Sequence, residues 1–285
     1  MTTLNNKIDF MALVEVHNAN PNGDPLAGNY PRTDSRGYGV MSDVSIKRKV
    51  RNRLQDLGES IFVQSSDRVT DDFKSLNQRY NAVFDKENDL DIIYEEACKR
   101  WIDVRTFGQV FTYNKLSLGV RGPVSISMAK SLTPVESVSM QITRSANSMD
   151  PKEGKSRSSD TIGSKQYIDF GVYLIKGSIN PYFAEKTGFS EEDAANIKES
   201  IRTLFVNDAS SARPEGSMTI RDIFWFTHPD TLGQISSGKI FDMLQYKNWT
   251  TLDVENYEDY EIKLNEEGVK QLEEKGVEIE YFQGI

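Results

Sequence analysis

The sequence predicts an α+β fold built on one sheet with long excursions from it. Three observations carry that prediction. Ile8, Phe10, Ala12, Val14 and Val16 recur in period two, the mark of a strand with a buried face. Two later stretches, Ser42–Gly58 and Ser190–Val206, carry apolar residues at helical spacing behind capping residues. Tyr167–Ile175 and Ile220–Thr227 are rich in β-branched and aromatic residues and read as further strands of the core.

The first strand gives way to a loop, Asn18–Gly39, rich in Asn, Pro, Gly and Asp, each of which interrupts regular structure for its own reason. Ser42 or Asp43 caps the first helix. Ile46, Val50, Leu54 and Leu57 form its apolar stripe and Gly58 ends it, so Lys47, Arg48 and Arg51 project away from the core. Glu59–Ala97 is polar and irregular and reads as an inserted subdomain, followed by a helix near Ile92–Val104. Leu118–Met128 reads as one strand with a glycine-rich start. Val138–Arg144 alternates, Ser145–Ser164 is almost without apolar residues, and Tyr167–Ile175 alternates again, which makes one long hairpin with a flexible basic tip. In the second helix Ser190 is the cap, Asp193 stands in capping-box position, and Ala194, Ile197, Ile201, Leu204 and Phe205 face inward. Asp259–Leu264, a Glu/Lys helix at Glu266–Lys275, and Val277–Tyr281 close the chain.

Composition narrows the function classes. A hydrophobic content of 38% over 285 residues is enough for a sizeable core. The single Cys98 excludes an intramolecular disulfide and a multi-cysteine metal site, and a reduced, cytoplasmic setting is expected. Neither a signal-peptide pattern nor an apolar run of the roughly 18 residues a membrane span requires is present, so no membrane partner is expected. The net charge of -9 is unevenly spread. Residues 250–285 hold eleven acids and three lysines, whereas Arg32–Arg53 holds seven cations and two acids. An acidic end and a basic segment suit head-to-tail association or, more simply, a solvated surface.

Catalytic signals are weak. His17 and His228 are far apart and neither has a partner at ligand spacing. Cys98 lies beside Ala97 and Trp101 like a packed thiol rather than a nucleophile. Gly119-Val120-Arg121-Gly122-Pro123 has no following helix signal and makes a poor nucleotide fingerprint. Asp24 and Asp34 sit in the first loop, where an acid can assist RNA cleavage or simply shape a turn. No catalytic residue, metal or cofactor is expected.

Binding signals are stronger. Five of the seven residues from Lys47 to Arg53 are cationic, and a helical stripe of Lys47, Arg48 and Arg51 supplies the repeated charges that phosphates need. Asp43 and Asp56 are the only acids nearby in sequence, too few to neutralise five cations. The hairpin tip carries Arg144, Lys152, Lys155, Arg157 and Lys165 against Asp150, Glu153 and Asp160. Met149, alone among polar residues there, is a candidate wedge between bases; a disordered surface loop is the plainer reading of the same composition.

The loop Asn18-x-Asn20-Pro21-Asn22-Gly23-Asp24-Pro25 followed by Asp43–Asn52 resembles the backbone subunit of type I-C CRISPR interference complexes, the Cas-seven family. The similarity runs on through Asp103–Gly108, Val120–Val124, Ile142–Arg144, Thr161–Lys165, Phe170–Tyr173, Ser211-Ala212-Arg213 and Phe226-Thr227-His228, nearly the whole chain in order. Ser164, Gln166 and Asp169 depart from the pattern, where a basic residue, a His and a Pro are usual.

The resemblance implies a single hand-shaped domain over residues 1–285. An RNA-recognition-motif-like (ferredoxin-like) palm would take 1–58, 98–137 and 169–285, inserted helical fingers 59–97, and a β-hairpin thumb 138–168. It also implies a non-catalytic subunit of Cascade that binds crRNA, stacks head-to-tail with other copies, meets other Cascade subunits, and leaves the target DNA strand to base pairing with the guide. On this reading Lys47, Arg48 and Arg51 grip phosphates from the palm. Arg144 and Lys165 do so from the thumb, Arg121 and Gly122 lie near the strand path, and Arg32 adds a contact from the first loop. Asn18, Asn20 and Asn22 shape the turn or contact RNA through their amides. Two other classes stay open: a guide-dependent ribonuclease of the type III kind using Asp34, and a self-assembling scaffold without RNA.

Overall fold

The computed structural model describes residues 2–143, 162–249 and 254–285. Its centre is a four-strand unit: β1 (Ile8–Ala19), β2 (Ala129–Pro134), β3 (Ile162–Ile179) and β4 (Met218–Thr227). Two helices complete it, α1 (Asp43–Asp56) between β1 and β2, and α2 (Glu191–Arg202) between β3 and β4. The strands lie in the order β4-β1-β3-β2, every pairing antiparallel. Tyr38–Met41 adds an edge beyond β2, and β5 (Glu278–Gln283) adds one beyond β4.

β1 is buried along Ile8–Val16 on both faces, which explains why apolar Met11 and Leu13 stand between its period-two residues. Phe10, Ala12, Val14 and Val16 face one core with Ile46, Val50 and Leu54 of α1 and Ala194, Ile197 and Ile201 of α2. Met11 and Leu13 face a second core built with Phe224, Phe226, Tyr257, Tyr260, Leu272 and Val277. The acidic C-terminal stretch is therefore a cover for the sheet's second face, with its apolar residues turned inward. Both helix starts form as their sequences require. The Ser42 side chain accepts from the Ser45 N–H at 3.3 Å, and Ser190 and Asp193 close a reciprocal capping box.

A third core lies in the insertion after α1, where Phe62, Tyr80, Phe84, Ile93, Trp101 and Phe111 meet. Trp101 and Phe111, together with Cys98, Val104 and Val120, come to it from beyond residue 97. Two expectations are corrected here. The single helix near Ile92–Val104 is two, Leu90–Arg100 and Ile102–Phe107, because Trp101 adopts an extended backbone that seats its ring 4.7 Å from Phe62. The single strand Leu118–Met128 is also two, Leu118–Val120 and Val124–Ile126. A Cβ on Gly122 would lie 2.3 Å from the Thr106 carbonyl oxygen, so the chain turns there to pass close to the backbone of Thr106, and Pro123 has no N–H for a ladder.

The hairpin pairs Ser137–Thr143 with Ile162–Ile168. Its return arm is the start, Ile162–Ile168, of the 18-residue strand β3, so the arm and the central sheet are one continuous element.

Candidate nucleic-acid interface

The polar face of α1 borders a cleft of about 390 Å³ at the end of the sheet where β1 leaves and the hairpin begins. Its wall is assembled from four segments: Pro21–Gly23 of the first loop, Arg48, Lys49 and Asn52 of α1, Asp67 and Arg68 of the insertion, and Asn207–Ser210 with Arg213 before β4. Four cations face two carboxylates in it, and the amides of Asn22, Asn52 and Asn207 lie among them. Cations flanked by neutral amide and hydroxyl donors are a phosphate-binding chemistry.

The cations of α1 are not equivalent. Lys47 pairs with Asp43 at 3.0 Å, one turn back. Arg51 pairs with Asp103 at 2.9 Å and its guanidinium lies over Phe107. Arg53 pairs with Asp56 at 2.7 Å and donates to Thr203. Lys49, 5% exposed, pairs with Asp208. Counting acids near the helix in sequence therefore underestimates its neutralisation: Asp103 and Asp208 arrive from distant segments. Arg48 alone among these five makes no ion pair within the described residues. It donates to the Val63 carbonyl at 2.9 Å and keeps its other N–H groups for the cleft. Burial, and then the charge of Arg51, pull its guanidinium below the ordinary value. Burial likewise brings the Lys49 ammonium down to about 8, with Asp208 opposing.

The other sequence candidates are dispersed. Arg32 leans on Asp24 at 3.4 Å and its backbone joins the loop to Asn22 and Val40. Lys165 stands on the hairpin arm opposite Met140, its ammonium 6.0 Å from the Tyr167 ring. Arg121 stacks on Phe183 at 4.1 Å. It precedes Val124, which pairs with Ile179 beside Ile8 at the far end of the sheet, so the structure does not bring Arg121 or Gly122 to the cleft. Arg144 and Met149 lie outside the described residues.

Asp34 is a turn brace. Its Oδ1 accepts from the N–H groups of Arg36 and Tyr38 at 2.9 and 3.0 Å, and Oδ2 accepts from Lys130. The Lys130 bond holds its carboxyl down at about 2. Asn20 is 2% exposed and donates to the Asn29 carbonyl, while Asn22 accepts from the Ser42 N–H at 2.8 Å, so two of the three loop asparagines hold the turn that leads into α1. His228 is fully buried: Nδ1 accepts from the Gln234 N–H and Nε2 therefore donates to Asp9. Cys98 is 3% exposed and burial pushes its thiol up to about 12. Among the described residues no group of three or more His, Cys, Asp or Glu could hold a metal ion, and no helix is long and apolar enough to cross a membrane.

A family model described as CRISPR-associated protein Cas7 matches residues 6–265. The chain belongs to the Cas7 family. A Haloferax volcanii relative, CRISPR-associated protein Cas7, is 27% identical over 217 residues, 69% of this chain. The alignment spans 63% of that relative's length. Two solved chains share the fold. One, from a CRISPR RNA-guided surveillance complex in a pre-nicking state, has a TM-score of 0.54 at 15% identity, covering 94% of this chain and 87% of that one. The other, from a CRISPR RNA-guided surveillance complex, has a TM-score of 0.53 at 16% identity, covering 96% and 87%. The Cas7 match takes in every segment of the cleft and both helices of the central unit, and stops short of β5.

Within this Cas7 fold, Lys49, Asn52, Arg68 and Arg213 are cleft residues that sequence reasoning did not single out as contacts. Arg213 lies in the Ser211-Ala212-Arg213 motif that carried the family resemblance. Arg68 sits in a stretch without periodicity, and only folding brings it to Asp56 and the Asn207 carbonyl.

Proposed function

We propose that the chain is a non-catalytic, crRNA-binding filament subunit of a type I-C Cascade surveillance complex, in which copies stack head-to-tail and the guide pairs with the target DNA strand. The observation that carries this is the cleft itself: a cationic groove lined by the family's loop and helix motifs, next to the base of the long hairpin. The strand order β4-β1-β3-β2 with two helices on one face supports an RNA-recognition-motif-like palm. The third core supports fingers that start at 59–97 and extend to Val120, and the Ser137–Ile168 pairing supports the thumb.

Arg48, Arg68 and Arg213 are the phosphate contacts this reading favours, with Lys47 at the rim and Lys165 on the thumb. Arg51 acts through α1, which it fastens in place. Because Tyr257, Tyr260 and their neighbours cover the second sheet face, the RNA runs along the helix-side cleft, and the protein reads backbone rather than base edges. A cytoplasmic location and contacts with other Cascade subunits belong to the same reading. The geometry of Asp34 supports a scaffold over a ribonuclease: a carboxylate saturated by two N–H groups and Lys130 is a poor general base.

Filter binding to a repeat–spacer RNA across a salt series, wild type against Arg48→Ala/Arg68→Ala, tests the reading. Affinity falls and the log–log slope shrinks by about one to two units if both arginines meet phosphates. An unchanged slope removes the cleft. Protein purified from cells expressing a guide RNA but free of 260 nm excess would favour a scaffold without RNA.

A further inference from the structure

Lys49 stands out within the cleft because its partner is shared. The Asp208 carboxylate meets Lys49 Nζ and, at 3.2 Å, Arg213 Nε, so one negative charge answers two positive ones in a largely buried cluster. Among the described residues the other carboxylate of the cleft, Asp67, is felt by Arg68 and Arg48 and forms no ion pair with Lys49 or Arg213. From the insertion come Asp67 and Arg68, and Arg68 is already engaged with Asp56 at 2.5 Å. From the helix itself come Arg48, which has no ion pair among the described residues, and Arg53, which also uses Asp56. The Phe205 ring closes the remaining side, 5.4 Å from Nζ. A buried amine in such a setting is easily neutralised, and a second anion is what would hold its proton.

We propose that Lys49 is a proton-coupled anchor of the cleft, taking up a proton as a backbone phosphate of the bound RNA enters beside Asp208. This rests on the RNA-binding reading above. Before binding, burial leaves Lys49 titrating near 8. The incoming phosphodiester, a monoanion that does not itself titrate in this range, gives Arg213 a partner and returns Lys49 to an ordinary, fully charged lysine. Binding then consumes protons at mildly alkaline pH, and affinity follows pH in a way that surface phosphate contacts do not.

The test is the affinity of the full chain for a single-stranded oligomer of adenosine and cytidine, whose bases do not titrate in the window, from about pH 7 to about pH 9 at fixed salt. The wild type weakens by about tenfold across that range, and calorimetry in buffers of different ionisation enthalpy reports uptake of about three-quarters of a proton near pH 8.5. Lys49→Arg keeps the charge and flattens the profile. A flat wild-type profile overturns the proposal, as does a Lys49→Arg profile that still falls. Should Lys49→Arg not fold, Asp208→Asn removes the carboxylate that favours the charged amine and moves the inflection to lower pH; an inflection that stays put overturns the proposal. Absence of RNA binding at every pH would instead remove the functional reading on which it stands.

Discussion

Arg51 and Asp103, 52 positions apart in sequence, are joined by an Nε–H donation of 2.9 Å to Oδ2. The Asp103 carboxylate is 1% exposed and also accepts from the Phe62 and Val63 N–H groups at 2.7 and 3.0 Å. One side chain thus fastens α1 to the start of the insertion. Asp103→Ala leaves a largely buried guanidinium and two N–H groups without partners, and breaking such a pair costs about 3–5 kcal/mol. A fall of that order in urea unfolding free energy, with the m-value unchanged, is expected. A loss under about 1 kcal/mol would contradict the assignment of Asp103 as the joint.

Arg48→Ala and Arg51→Ala should separate binding from folding. Removing Arg48 breaks no ion pair among the described residues and costs about 1 kcal/mol through its hydrogen bond to Val63, while reducing the salt slope of RNA binding by about one unit. Removing Arg51 strands Asp103 and lowers stability first. Paired denaturation and filter-binding series on the two variants read this directly. If the slope follows Arg51 and ignores Arg48, the clamp has been placed on the wrong face of α1.

The contrast between these two arginines marks how far sequence could reach. Periodicity places the apolar stripe Ile46, Val50 and Leu54, because burial of a helix face is a local pattern, and it places the Ser42 and Ser190 caps for the same reason. It does not separate Arg48 from Arg51, since the partners that distinguish them, Val63 and Asp103, come from the insertion. The breaks at Trp101 and Gly122 were likewise invisible, because they answer to Phe62 and Thr106 rather than to their neighbours. The cover over the second sheet face hid in an acidic composition whose inward residues, Tyr257, Tyr260 and Leu272, are few.

Asp34 gives a pH signature. Lys130 and the turn N–H groups hold its folded carboxyl at about 2, below the ordinary 3.8. Its contribution is therefore complete above the ordinary value and disappears as pH falls through the folded one. The gap in urea midpoint between wild type and Asp34→Asn should stay constant from neutral pH to about pH 5 and close toward about pH 2. A gap that ignores pH would show that the ionised carboxylate is not what braces the turn.

Cys98 should be silent toward thiol reagents in the folded protein. Burial both blocks access and pushes the thiol up to about 12, so little thiolate exists at neutral pH. Alkylation monitored by mass spectrometry is expected only as urea unfolds the insertion core around Trp101. Rapid labelling of the native chain would mean that this core opens without global unfolding.

Tyr257 and Tyr281 converge on Asp222: the first donates to Oδ2 at 2.5 Å, the second to Oδ1 at 2.7 Å. Asp222 belongs to β4, Tyr281 to the adjacent β5, and Tyr257 to the segment that covers the second sheet face, so the two hydroxyls clasp that cover to the sheet. Tyr257→Phe keeps the ring in its apolar setting and leaves one buried carboxylate oxygen without its donor, which costs about 1–3 kcal/mol. Because the proposed RNA path lies on the other side of the sheet, the salt slope of RNA binding should not move. A variant that folds with nearly wild-type stability but loses RNA would place nucleic acid on the covered face and displace the helix-side cleft as the interface.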